Sequence, residues 1–305
     1  MVRILDCLVI GGGPAGLTAA IYAARFHLSV RVIDAGASRA GQIPCTRNYP
    51  GFPEGISGPD LLGRLRDQAL KYGADIVEGH VDALARRDDD FLITTSVDVV
   101  QSRAVVLATG VTNRRPTLAA DVHAEAVATG RLRYCPVCDG FEVTDQNVAV
   151  IGAGSGGVRE TLFLRAYTRR LTLISPDSFR ELTPKDRSAL NAAGVELLDG
   201  PVSDVRLEDK GLSLAWAGAR KTFDTVYPAL GSDVHSGLAR SLGAALTADG
   251  CVKVDAHQRT SVPGLYAAGD VVIGLDQISH AMGQAGVAVT ALRNDLDAQR
   301  PQRRR

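Results

Sequence analysis

Apolar and polar positions in the first part of the chain change period twice. Residues 5–10, "LDCLVI", are a short apolar run, "LTAAIYAARF" is a helical run, and "SVRVID" is a second short apolar run ending at Asp34. Short apolar runs bounded by turn residues predict buried strands, so the order is strand, helix, strand. The first turn holds Gly11, Gly13 and Gly16 at G-x-G-x-x-G spacing. In such a turn the first glycine makes the bend and the second lets backbone N–H groups approach a pyrophosphate. The third lets helix and strand pack closely. Asp34 stands where a carboxylate can accept hydrogen bonds from a ribose.

The pattern recurs in "NVAVIGAGSGGVRETLFLRAYTRRLTLIS". A strand leads to Gly152, Gly154 and Gly157, then to a helix whose Val158, Leu162 and Leu164 mark a buried side, then to another strand. Two such cradles predict an α/β fold of two Rossmann-like dinucleotide-binding domains, commonly one for a flavin and one for a nicotinamide. "AVVLATG", 104–110, and "TSVPGLYAAGDV", 260–271, each read as a strand ending in a small-residue turn, the second at Gly269 and Asp270. Together they resemble the elements of two-dinucleotide-domain flavoproteins, in which this Asp contacts FAD. The FAD-binding domain is then discontinuous, 1–114 and 243–305. The second, NAD(P)H-binding-like domain, 115–242, is inserted in it.

Composition narrows the class. A chain of 305 residues can bury two cores, and 34 basic residues balance 34 acidic ones, so no overall field draws it to nucleic acid or an acidic membrane. The basic end "RPQRRR" has no aromatics for bases to stack on and reads as a solvated tail. Glycines interrupt the apolar N-terminus, which argues against a signal peptide or membrane span. Five cysteines with one close pair do not make an extracellular disulfide framework, so a cytoplasmic protein is expected.

That close pair lies in "RYCPVCDGFE", as Cys135 and Cys138. A structural zinc site needs four ligands, and Cys7, Cys45 and Cys251 are scattered while the six histidines form no H-x3-5-H. No metal is therefore expected, and a redox dithiol is the better reading of the C-x-x-C.

With "CPVCDG" just before the second cradle, "GGGPAG" at the start, "NYPGFPEGISG" at 48–58 and "TSVPGLYAAGDV" near the end, the chain resembles the low-molecular-weight thioredoxin reductases over nearly its whole length. The resemblance implies a cytoplasmic FAD-dependent homodimer whose Cys135–Cys138 disulfide exchanges with thioredoxin or a similar dithiol protein. Asp139 matches the family's acid, able to protonate a leaving thiolate; its other reading is a helix N-cap. The same resemblance places FAD on Gly11, Gly13, Pro14, Ala15, Asp34, Gln42, Asn48, Val81, Thr109, Gly110, Asp270, Gln277 and Ile278. The last two begin a helix whose N–H groups can stabilise negative charge on a reduced flavin. His280 and Cys45 fall on the flavin side, but a packed or solvent-facing histidine and a lone thiol describe them better. The family's two domain orientations make 112–116 and 241–244 candidate hinges.

In NADPH-using members the strand after the second cradle ends in His-Arg-Arg, whose arginines hold the adenosine 2'-phosphate. In register those positions are Ser175, Pro176 and Asp177 here, and the family's Glu-Glu pair is Arg159-Glu160. In register with Asp34, the ribose-reading place is Ser175, so Asp177 is two residues out of position for NADH. "SRAGQIPCTRNYPGFPEGISG", "YPALG" and "DQISHAMGQAG" further resemble a deeply rooted branch without the NADPH motif, for which ferredoxin is the implied donor. The leading expectation is an FAD-dependent disulfide reductase not served by NADPH. Three alternatives stay open: NADPH or NADH bound through residues such as Arg159 or Arg180, an oxygen-dependent dithiol oxidase, and a non-enzymatic redox sensor.

Overall fold

The computed structural model describes residues 4–176 and 182–299. The chain divides into two compact units: Met1–Gln42 with Ile56–Thr112 and Val234–Arg305, and Ile43–Gly55 with Asn113–Asp233.

The first unit opens with β1 (Leu5–Ile10), α1 (Pro14–Arg25) and β2 (Val30–Asp34), continues through α2 (Gly58–Lys71) and β3 (Asp75–Glu78), and adds β4 (Val81–Arg87), β5 (Asp90–Thr95) and β6 (Val99–Leu107). The sheet order is β3-β2-β1-β6-β5-β4. β1 pairs in parallel with β2 and β6, whereas β4 and β5 form an antiparallel hairpin onto β6. α1 carries the crossover between β1 and β2 and α2 that between β2 and β3, whereas a tight turn through Asp88, at φ 54°, serves the hairpin. Cys7 to Ile10 are all buried, as a central parallel strand covered on both faces requires.

The second unit runs from β7 (Val111–Asn113), which begins in the first, through α3 (Ala120–Ala128), α4 (Pro136–Asp139), β8 (Asn147–Gly152), α5 (Gly154–Leu164), β9 (Arg170–Ile174) and α6 (Pro184–Ala192). It closes with β10 (Glu196–Leu198), β11 (Val202–Glu208), β12 (Gly211–Trp216), β13 (Ala219–Phe223), β14 (Thr225–Ala229) and β15 (Ser232–Val234). β10, β9, β8 and β14 form a parallel sheet, and β11, β12 and β13 an antiparallel one. Pro228, which has no N–H to donate, is tolerated because β14 is an edge strand of its sheet.

The chain then returns to the first unit as α7 (Gly237–Ser241), β16 (Leu265–Ala267) and α8 (Ile278–Gln299). β16 pairs in parallel with β6. It is much shorter than the strand expected over 260–271. Pro263 lacks an N–H, and Gly264 and Gly269 sit at φ +79° and +83°, so the extended conformation is interrupted on both sides. On α8, Ala281, Ala285, Ala288, Leu292 and Leu296 recur on one buried side. Among the described residues no helix is long and apolar enough to cross a membrane.

Candidate functional site

The first cradle is built by close backbone approach. A Cβ on Gly11, at φ +110°, would fall 2.3 Å from the Ala108 carbonyl oxygen, and one on Gly16 would fall 1.8 Å from that of Gly11. Neither position accepts a side chain, so the β1–α1 turn is held against the end of β6. A Cβ on Gly12 would fall 2.1 Å from the Asp34 carboxylate, which therefore lies directly against the turn. Asp34 Oδ1 accepts the Gly36 N–H at 3.0 Å, and Arg66 lies 3.5 Å from Oδ2. Gly13 caps α1 without a side-chain hydrogen bond, and no acidic residue occupies the first turn. Its leading N–H groups suit an anionic phosphate, and Asp34 suits a ribose hydroxyl; the residues fit a dinucleotide.

Apart from Asn48, the other predicted FAD residues lie in the first unit. Gly269 approaches Ala15 so closely that a Cβ there would lie 3.0 Å from it, which brings Asp270 to the start of α1. Asp270 is bound by Arg39 at 3.1 Å, and the same guanidinium nitrogen holds Asp276 at 3.0 Å. Burial, then the Asp276 charge, push the Asp270 carboxyl upward, while Arg39 pulls it down. Arg39 opens the short turn that ends at Gln42. Thr109 follows β6 and donates to the His235 carbonyl at 2.7 Å, with Gly110 next at φ +64°. The Gln277 carbonyl accepts from Ala281 at 2.9 Å, so Gln277 leads into α8 and Ile278 opens it. Val81 opens β4 and packs on the core that includes Ile10 and Ile33. Asn48 belongs to the segment that groups with the second unit, and accepts from Thr46 at 3.0 Å. His280 is exposed and bonded to Gln284 at 3.0 Å. Cys45 carries a free thiol.

The second cradle repeats the strand, turn, helix order of the first with a different turn and a different strand end: Gly154 takes φ +55° and lies within α5, where its counterpart Gly13 caps α1 at φ −77°. Ile151 pairs with Ile174 as Ile10 pairs with Ile33, so Ser175 follows β9 at the register of Asp34. Ser175 is fully buried, and its hydroxyl has no hydrogen-bond partner among the described residues. Gly152 and Gly157 are demanded by packing: a Cβ on Gly152 would lie 2.9 Å from Ala229, and one on Gly157 2.9 Å from Gly152. Asp177 and Arg180 lie outside the described residues. Glu160, on α5, is pushed by burial to about 7, and one of its oxygens has no partner among the described residues.

Cys135 and Cys138 are joined in a disulfide. Cys135 caps α4, its sulfur accepting the Cys138 N–H at 3.1 Å. Asp139 ends this helix and caps nothing after it. Its Oδ1 accepts from the Tyr227 hydroxyl at 2.7 Å and its Oδ2 from Arg133 at 2.9 Å. Burial pushes the Asp139 carboxyl above the usual range, although Arg133 and Tyr227 both favour its ionised form. A dithiol beside an acid of raised proton affinity can exchange disulfides and supply a proton to a departing sulfur.

A family model described as pyridine nucleotide-disulphide oxidoreductase matches residues 5–285. A thioredoxin reductase from Mycolicibacterium smegmatis is 35% identical over 88% of each chain. The chain belongs to this family, in its low-molecular-weight thioredoxin reductase branch. It is an FAD-dependent oxidoreductase with a redox disulfide. The crystal structure of thioredoxin reductase from Streptococcus pyogenes superimposes with a TM-score of 0.89 at 28% identity, covering 98% of this chain and all of that one. An NADPH-dependent thioredoxin reductase 3 from Arabidopsis thaliana is 32% identical, with 88% of this chain matching 54% of that one.

Gly12, Arg39, Arg133 and Tyr227 join the predicted residues at these sites only in the folded structure. Gly12 was legible as the middle of three consecutive glycines. Tyr227 carried a faint signal, a hydroxyl inside the apolar run "TVYPA". The two arginines carried none, because their acid partners are remote in sequence or face them only through the local fold.

Proposed function

We propose that this chain passes electrons through FAD and the Cys135–Cys138 disulfide to thioredoxin, and draws them from a donor other than NADPH, with ferredoxin as the donor. In this reading residues 1–114 and 243–305 bind FAD, through the thirteen positions assigned above, and 115–242 carry the disulfide. When bound, FAD supplies two-electron transfer to that disulfide. The chain's own residues do the rest: Cys135 and Cys138 exchange with the substrate disulfide, and Asp139 holds a proton for the departing sulfur.

The observation that carries the choice of donor is the end of β9. Ser175, a small buried hydroxyl, stands at the register where an acid would read an adenosine ribose, and Pro176 follows it. Two missing charge-assisted contacts at about 1.5–3 kcal/mol each weaken NADPH binding by roughly 100-fold to 10,000-fold. Gly152 and Gly157 persist because their own packing demands them. A ferredoxin near about −400 mV lies roughly 130 mV below thioredoxin, about 6 kcal/mol for two electrons, so the transfer runs downhill.

The name of the Arabidopsis relative favours NADPH as the competing donor. Anaerobic titration of the yellow holoenzyme with NADPH, NADH and reduced ferredoxin in parallel separates the two. Bleaching by ferredoxin alone is expected; rapid bleaching by NADPH or NADH would overturn the reading. Bleaching by a small dithiol alone, with steady peroxide production in air, would instead identify a dithiol oxidase.

A further inference from the structure

Tyr227 lies in the middle of β14, fully buried in a cluster that includes Val143, Val148, Val150 and Leu164. A phenylalanine would fill most of this volume with no polar atom to satisfy, whereas a tyrosine hydroxyl there needs a partner. Its partner is Asp139, the acid next to the redox pair. Arg133, two residues before Cys135, takes the other carboxylate oxygen. The carboxylate is thus gripped on both oxygens, by groups from two different parts of the second unit. The charged and titratable groups around it are Arg133 from the segment before α4, Tyr227 from β14 and Glu142 from the turn after α4. Tyr167, beyond the end of α5, lies against the neighbouring Gly140.

Building on the function proposed above, we propose that Tyr227 and Arg133 are positioning residues. They hold the Asp139 carboxyl in one orientation and set the pH at which it delivers its proton. The reaction they serve balances as follows. The enzyme dithiol gives two electrons and two protons to the substrate disulfide, whose S–S bond breaks to two thiols while the Cys135–Cys138 bond re-forms. One of the two protons passes through Asp139 to the departing sulfur.

Both neighbours donate to the carboxylate and so favour its ionised form. Their removal makes Asp139 hold its proton to higher pH. A rate that needs protonated Asp139 falls as pH rises, so each removal moves that fall toward alkaline pH.

The test uses the holoenzyme, reduced anaerobically with dithiothreitol and freed of it. It is mixed with oxidised thioredoxin or with hydroxyethyl disulfide, whose alkyl thiolate is a poor leaving group that needs a proton. Re-formation of the Cys135–Cys138 bond is followed by thiol alkylation across a pH series. The alkaline fall is expected to move to higher pH in Tyr227→Phe, to move further in Arg133→Gln, and to disappear in Asp139→Asn. A Tyr227→Phe variant that melts like the parent, keeps its flavin and shows an unshifted profile overturns the proposal. A purely structural role for Tyr227 would lower stability and leave the profile in place. If the parent enzyme reduces hydroxyethyl disulfide but not thioredoxin, the partner assignment has failed, and the small-disulfide profiles still decide the roles of Tyr227 and Arg133. If it reduces neither, both are overturned.

Discussion

Ser175 occupies in the second cradle the register position that Asp34 occupies in the first, one step past an isoleucine pair that joins the two strands of each cradle. One position offers a carboxylate against the glycine turn; the other offers a buried hydroxyl with no partner among the described residues.

Adenosine 2',5'-bisphosphate and adenosine 5'-monophosphate are therefore expected to bind this chain with similar, weak affinity. Equilibrium dialysis checks this, and a preference of more than about tenfold for the 2'-phosphate would reveal a cationic site beyond the register position. Ser175→Ala removes a buried polar atom that no described residue satisfies and should leave stability unchanged or raise it by up to about 1 kcal/mol, read from urea unfolding.

Gly16→Ala and Gly157→Ala separate the cradles. Both crowd a backbone and should lower stability by about 1–3 kcal/mol. Gly16→Ala should also yield protein poor in flavin, because its Cβ would displace the turn at Gly11. Gly157→Ala should retain the parental ratio of flavin to protein absorbance. Equal flavin loss in both would show that the assignment of FAD to the first cradle is wrong.

Glu160 gives a pH-dependent stability. Burial raises its folded pKa to about 7 from an ordinary 4.5, so its contribution is fully present below about pH 4.5 and is lost as pH rises through 7. Glu160→Gln should then stabilise the protein at pH 8, by about 1–2 kcal/mol after discounting for partial exposure, and change little at pH 4.5. Melting curves at the two pH values test the sign directly.

Arg39→Ala leaves Asp270 and Asp276 facing each other without their shared cation. Stability and flavin retention should fall at pH 8, by about 1–3 kcal/mol and severalfold respectively. The loss should shrink as pH falls, because Asp270 already has its proton affinity raised by burial and by Asp276 and takes up a proton first. Thermal shift and released-flavin fluorescence follow both effects; a pH-independent loss would mean that Arg39 acts through packing alone.

Periodicity and turn residues in the sequence determined β1, α1, β2 and their counterparts β8, α5 and β9, because a strand covered on both faces must be continuously apolar and a tight strand-to-helix turn must be glycine. The same local chemistry exposed the redox pair, since Cys135 and Cys138 are only three residues apart. Residue spacing also placed Ser175 at the register of Asp34. What only the tertiary structure decided lies at long range. The extent of β16 depended on where Pro263, Gly264 and Gly269 let it pair with β6. The grip on Asp139 needed Tyr227, 88 residues away, and the pairing of Asp270 needed Arg39, 231 residues away. Hydrogen bonds and ion pairs between such distant residues leave no periodic trace in the chain, because they depend on which strands become neighbours in the folded sheet and not on the spacing of residues along any one of them.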